Sequence, residues 1–292
     1  MEFIFFQLLT GIAMGANLFL VAAGLSLIYG VLHVVNFSQA TFYMLAAYIC
    51  YSLTLLLGGG TGFWIGLVVA PLAVAVLGGL VEISMFRRIY KKLHYVQLLL
   101  AWGLILVLND AFKFIWGPEK KMTASPSILN GGVQMPGDMI FPYVLIFAIV
   151  MAAAIGIMLY FLIYRSKWGK TIRAAASDAE IASSLGVDVD KLYTFVFAFA
   201  CWLGGLGGVV ATLTQPVFIG ADMEVILAAF IIVIVGGMGS ILGSLVGSLI
   251  VGVVSALGIM ILPRFALVFL YVIMVLILII RPHGLLGKEE LH

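Results

Sequence analysis

The chain is predicted to be an all-α, polytopic transmembrane helical bundle of about eight or nine segments, with broken or re-entrant helices. Two observations carry this. Of 292 residues, 64% are apolar and only 10% charged, and the mean hydropathy is +1.24. Soluble domains run near 25% charged, so a chain this apolar could not cover its surface in water and expects lipid as solvent. The apolar residues also fall into long runs separated by short polar stretches.

A helix needs about 20 apolar residues to cross the hydrocarbon core. Such runs fall at Phe3–Gly30, Phe37–Leu57, Phe63–Ser84, Val96–Trp116, Met139–Tyr164, Thr194–Leu213, Val225–Ile241, Gly243–Leu262 and Phe265–Ile280. The pair after Val225 is Gly-rich and is read either as two full spans or as partial crossings. The polar stretches are too short for an independent soluble core. Residues 1–292 therefore form one transmembrane domain, with 165–193 as its longest cytoplasmic loop. Cys50 and Cys201 lie inside apolar runs and read as buried small hydrophobes. Glu2 in place of a basic n-region, before an over-long apolar run, argues against a secretory signal.

Basic residues orient the spans. Arg87, Arg88, Lys91, Lys92, Arg165, Lys167, Lys170, Arg173, Lys191, Arg281 and Lys288 collect on one side, and Lys113, Lys120, Lys121 and Arg264 on the other. The richer side is cytoplasmic, so the loops 85–95 and 165–193 and the C-terminus face inward. The loop 117–138 faces outward and is turn-rich. Nine crossings place the N-terminus outside; an even number places it inside or makes one segment re-entrant.

Several chemistries are excluded. Gly169-Lys170-Thr171 mimics the end of a phosphate-binding loop, but Tyr164 stands where that motif needs its first glycine. No catalytic or metal residues are expected, and a net charge of +2 offers nothing to nucleic acid. The acids Glu82, Asp110, Asp178, Asp222 and Glu224 fall near span ends or in loops. Ion-coupled carriers usually keep ionisable groups deep in the membrane.

The loop 165–193 is the most informative segment. Thr171–Leu185 is Ala-rich and of high helix propensity, and Gly186 is placed for a left-handed C-cap. Ile172, Ala175, Ala176, Ala179 and Ala182 recur at helical spacing as a small-residue face, with Arg173 and Asp178 on its flanks. Two readings stand: a helix onto which a cytoplasmic partner docks closely, or a solvated connector lying on the bilayer surface.

The run from Gly169 through Thr171, Arg173 and Ala176 to Asp178, continuing to Ala182 and Leu185-Gly186-Val187, resembles the coupling segment of ABC importer permeases. The match is to the branched-chain amino-acid permease family, the LivH type. It covers nearly the whole chain. Gly24 to Val31, Val35 to Met44, Val81-Glu82 with Arg87-Arg88, Val235 to Gly243, and Arg281-Pro282-His283-Gly284-Leu285-Leu286-Gly287 resemble that family's signatures in order. The chain departs at Ser38-Gln39-Ala40-Thr41, where members often carry Ala-His-Gly-Glu. That change bears on substrate more than on fold.

The resemblance implies a bacterial inner-membrane permease subunit that forms half of a pathway for amino acids, branched-chain ones first, or similar small solutes. Its partners would be a second permease, two cytoplasmic ATPase subunits that use ATP and Mg, and an external solute-binding protein. The chain itself would bind no cofactor. Arg173, Ala175, Ala176, Asp178, Ala179, Ala182 and Gly186 would meet the ATPase, with the alanine face covered by it.

Helices are interrupted at 31–41 and 236–244. Asn36 or Ser38 can cap the first restart, and the second follows Gly239-Ser240. Non-helical backbone at membrane depth survives only when buried in protein or lining water. Tyr29, Asn36, Ser38, Gln39, Tyr43, Gly237, Gly239 and Ser240 are therefore the candidate path residues. The stripe Gly239, Gly243, Gly247 fits close helix packing equally well. Two other classes compete with an ATPase-driven permease: a self-sufficient secondary transporter, and a membrane scaffold.

Overall fold

The computed structural model describes residues 2–90, 92–135, 139–263 and 266–287. Lys91, Arg264, Phe265 and Lys288, used above for orientation and spans, lie outside the described residues. The helices are α1 (Glu2–Leu32), α2 (Gln39–Leu57), α3 (Gly59–Ser84), α4 (His94–Trp116), α5 (Tyr143–Tyr160), α6 (Lys167–Ser177), α7 (Ala179–Ser184), α8 (Val189–Ala211), α9 (Ala221–Gly236), α10 (Ile241–Ile261) and α11 (Ala266–Ile280).

Seven of them are long and apolar enough to cross a membrane: α1 to α5, α8 and α10. The other two predicted spans are short, 16 residues in α9 and 15 in α11. At about 1.5 Å per residue, α9 covers only about 24 Å. Met139–Tyr164 was expected as one span. Its first residues instead form a strand, β2 (Met139–Pro142), paired antiparallel with β1 (Gly132–Met135) in the loop before it. Pro142 cannot donate within a helix, so the helix begins after it.

The core is built around α1, α2 and α8. Phe19, Leu20, Val21, Ala22 and Ala23 of α1 are wholly enclosed. α1 packs chiefly on α10 and α8, and α8 on α3 and α2. Small residues allow this. A Cβ on Gly15 would lie 2.4 Å from the Ser248 carbonyl oxygen, and one on Gly252 2.3 Å from that of Gly11. In lipid, such backbone approach replaces hydrophobic driving force with dispersion contacts. α3, α4 and α5 lie outside and keep broad apolar faces exposed, among them Val68, Leu72 and Val76 on α3. Cys50 and Cys201 are buried and free.

The loop 165–193 departs from the single helix expected over 171–186. It holds two, α6 and α7, broken at Asp178. The cause is local. Asp178 adopts an extended backbone, and its carboxylate accepts from the N–H groups of Glu180 and Ile181, both at 2.9 Å. A capping acid inside an Ala-rich run starts a new helix instead of continuing the old one. The end of α7 is as expected. Gly186 has φ of +89°, its N–H reaches Ser183, and that of Val187 reaches back to Ala182.

Candidate translocation and coupling site

At the first interruption the chain leaves α1 through His33, whose φ is +55°. Asn36, not Ser38, makes the turn. Its Oδ1 accepts from the Ser38 N–H at 3.1 Å and the Ser38 hydroxyl at 2.5 Å. Gln39 then opens α2 and donates through Nε2 to the Ala200 carbonyl at 2.6 Å, in the middle of α8. Gly24 and Gly204 make the slot for that amide, since a Cβ on either would fall within 2.9 Å of Nε2. Asn36, Ser38, Gln39 and Tyr43 are all buried. Asn36 and Ser38 brace the turn and Gln39 ties α2 to α8, while Tyr43 borders a void of about 20 Å³.

The second interruption is built differently. α9 ends at Gly236, and Gly237 and Gly239 take φ of +104° and +78°, which only glycine adopts easily. Ser240 caps α10, its Oγ accepting from the Gly243 N–H at 3.0 Å. The last carbonyls of α9 are completed from far along the chain: Leu285 donates to Val235 and Leu286 to Gly236, both at 2.9 Å. Arg281 holds this tail by donating to the Leu285 carbonyl at 3.3 Å. The motif from Arg281 to Gly287 is thus a clip on the end of α9. Gly237 is buried beneath it, where any Cβ would strike Gly287.

Between these breaks and α6 lies a cavity of about 520 Å³. Tyr29, Gly239 and Ser240 line it together with Arg173, Ala176 and Ser177 of α6. The structure thus brings three predicted path residues to the wall of α6 and seals the others inside. Arg173 is anchored: its guanidinium donates to the Ile163 carbonyl and lies 5.9 Å from the Tyr164 ring. Ser166 caps α6 by accepting from the Gly169 N–H at 3.0 Å. Gly169 is needed because a Cβ there would stand 2.1 Å from the Ile163 carbonyl oxygen. That contact gives Gly169 a packing reason independent of any phosphate.

The alanine face is turned the other way from the expectation. Ile172 and Ala175 are 3% exposed and Ala182 2%, packed into this chain, so a partner cannot cover them. Ala176 and Ala179 are half-buried. The outward face carries Ile181 at 61% and Leu185 at 79% exposure, with Asp178 and Gly186 exposed beside them. The signal that identifies these two is the pair of large apolar residues four apart within an otherwise small, polar segment.

A further set of polar residues holds the base of this segment. Glu82, wholly buried, accepts from Arg87 at 3.2 Å, Tyr90 at 3.0 Å and Thr194 at 2.6 Å. Arg87 also donates to the Asp190 carbonyl at 3.2 Å. Burial, then the Glu82 carboxylate, push the Tyr90 phenol well above its ordinary range. Of the motifs Val81-Glu82 and Arg87-Arg88, Glu82 and Arg87 lock the α3–α4 turn to the start of α8.

No solved structure matches this chain. Its sequence is similar to the high-affinity branched-chain amino acid transport system permease protein LivH of Escherichia coli K12, at 26% identity over 99% of this chain and 98% of that one. BraD of Pseudomonas aeruginosa, a permease of the same description, is 26% identical over 97% of this chain and 96% of its own. A probable LivH of Methanocaldococcus jannaschii is 28% identical over 97% and 93%. A family model described as the permease component of branched-chain amino acid transport systems matches residues 7–278. That match covers most of a multi-pass helical bundle, and the chain belongs to the branched-chain amino acid permease family of ABC import systems.

Proposed function

We propose that this chain forms half of the membrane pathway of an ABC importer that carries branched-chain amino acids into the cytoplasm. A second permease chain completes the pathway. Two separate ATPase subunits supply energy from ATP with Mg, and an external binding protein delivers the cargo. The observation that carries this is the shared cavity. Arg173 and Ala176 of α6 form one wall, and Gly239 and Ser240 at the α9–α10 break form another.

That geometry suggests how force passes. An ATPase that grips Ile181 and Leu185 would pull on α7, and through the Asp178 cap on α6. α6 packs on the end of α1, and Arg173 fixes it to the last turn before Ser166. A shift of α6 therefore reshapes the cavity wall at Gly239, where the backbone has no side chain to resist. A conduit that binds cargo weakly and leaves affinity to the external protein suits a wall of Ser, Tyr and glycine backbone.

The test is uptake of radiolabelled leucine by cells that express the complete importer. Uptake should need the ATPase and the binding protein together. Uptake by this chain alone, driven by a sodium or proton gradient, would establish the secondary-transporter reading instead.

A further inference from the structure

The first turns of α6 and α8 leave a gap between them that this chain does not fill. It measures about 300 Å³ and is bordered by Trp168 and Thr171 of α6, by Asp188, and by Lys191 and Phe195 of α8. It shares no residue with the cavity at the α9–α10 break. From this gap a row of aromatic rings climbs α8. Trp168 stacks on Phe195 with ring centroids 5.2 Å apart, Phe195 on Phe199 at 6.0 Å, and Phe199 on Trp202 at 5.5 Å. The planes of successive rings differ by only 27°, 6° and 16°. Phe195, Phe199 and Trp202 follow four- and three-residue steps, so they share one face of the helix. Val196, Phe197 and Ala200, turned away from that face, are buried in the bundle. The row itself is open: Trp168 is 56% and Phe195 40% exposed, and Phe199 and Trp202 are half-buried.

Length and charge say what covers it. Along α8, at about 1.5 Å per residue, Trp202 stands about 16 Å beyond Lys191. Half of the hydrocarbon core of a bilayer is about 15 Å thick. The row therefore runs the depth of one leaflet, as an acyl chain does, with the polar gap at its headgroup end. The gap offers both charges. Lys191 and Asp188 pair at 2.8 Å, yet their side chains stay 85% and 51% exposed. An ammonium has three N–H donors and a carboxylate about four acceptor positions, so each can take a further partner. A phosphate alone would suit Lys191 and be repelled by Asp188. A phosphate followed by a primary ammonium suits both: the phosphate accepts from Lys191, the ammonium donates to Asp188, and the four charges alternate. Lys167 and Lys170 are exposed on the same helix as Trp168 but do not border the gap, so no second cation there favours a purely anionic headgroup.

We propose that the gap and the aromatic row bind one phospholipid with a zwitterionic, primary-ammonium headgroup, of the phosphatidylethanolamine class. The headgroup lies between α6 and α8, and one acyl chain lies along Phe195, Phe199 and Trp202. Such a lipid is a strut, filling the space that separates the start of α6 from the start of α8. The inference needs only that α8 crosses a bilayer, for which it is long and apolar enough, and it does not rest on the importer reading.

The test uses the purified full chain, stripped of lipid in detergent and given phosphatidylethanolamine, phosphatidylcholine or phosphatidylglycerol with identical acyl chains. Native mass spectrometry counts the lipid retained. Phosphatidylethanolamine should be retained at one per chain, about two- to fivefold more than either of the others, the range that one exposed ion pair supplies. Asp188→Asn keeps a capping side chain for α8 and removes the charge, so it should erase the advantage over phosphatidylglycerol. Lys191→Gln should lower retention of all three lipids. Phe199→Ala, which interrupts the row and leaves the headgroup contacts alone, should do the same without changing their order. Equal retention of the three by the native chain would overturn the site and leave ordinary boundary lipid. Preference for either of the other lipids would overturn the ammonium assignment. A phosphatidylethanolamine preference that persists in both Asp188→Asn and Lys191→Gln would overturn the proposal too, by placing the lipid elsewhere.

Discussion

Gln39 and Ala200 lie 161 positions apart and are joined by one hydrogen bond of 2.6 Å between α2 and α8. The bond crosses a slot whose sides are glycine. It fixes where α2 restarts after the first break, and so sets the register of α2 against the bundle. Gly24→Ala would place a methyl 2.6 Å from the Gln39 amide and 2.7 Å from the Ala200 carbonyl. We expect loss of folded protein, read as a drop in the monodisperse peak on size exclusion. Gln39→Ala, which removes the bond without a clash, should cost about 0.6–1.7 kcal/mol for the hydrogen bond and remain purifiable.

Ile181 and Leu185 should be where the ATPase is gripped. Both are exposed, so Ile181→Glu and Leu185→Glu should leave folding unchanged. Loss of a central apolar anchor costs about 2 kcal/mol, a fall in affinity of roughly thirtyfold. Co-purification of the ATPase with the permease measures it. Ala175→Arg should behave differently. Burying an unpaired charge costs about 3–5 kcal/mol, so that variant should lose stability before it loses a partner. Ala179→Arg, at a half-buried position, tests the docking surface more directly: full ATP-dependent uptake with the ATPase bound would return α7 to the role of a surface connector.

Cysteine labelling should divide the two breaks. Ser240→Cys, on the wall of the 520 Å³ cavity, should react with a small aqueous maleimide. Ser38→Cys, buried beside Asn36, should be inert in the same preparation. Ser240→Trp should stop leucine uptake while assembly with the ATPase persists. Equal labelling at both positions would show that the first break opens to water in the resting protein.

Glu82→Ala would leave the Tyr90 hydroxyl without its acceptor, Thr194 with only the Asp190 carbonyl, and Arg87 without its counter-ion. Each buried unmet donor costs about 1–3 kcal/mol. We expect a clear fall in the thermal midpoint in detergent, whereas Asp110→Ala, which breaks an exposed pair with Lys113, should shift it little, since such pairs contribute about 0–1 kcal/mol.

The spans were legible because lipid imposes a length that apolar runs reveal. Their ends at Leu57, Ser84 and Trp116 match the helices directly. Gly186 was legible as well, because a left-handed cap needs a residue without a side chain. Asp178 was not. Its effect depends on a backbone turn that an Ala-rich composition hides. The inward aim of Ala175 and Ala182 was also out of reach, because a small residue can face its own bundle or a partner equally well. The path candidates divided for a related reason. Polar residues at a helix break satisfy either the backbone or the cargo, and only distances tell which. Asn36 and Gln39 serve the backbone here, while Ser240 serves the backbone and borders the cavity too.

The clip of Leu285 and Leu286 on α9 sets an order of assembly. α9 is made long before them, yet its terminal carbonyls at Val235 and Gly236 are met only by donors 50 positions later. During synthesis that end must stay hydrated, or borrow other partners, until α10 and α11 have both entered the bilayer. The end of α9 is therefore completed last, once α10 and α11 are in place. A chain cut just after Ile280 would keep all of the described helices and still leave that end of α9 open.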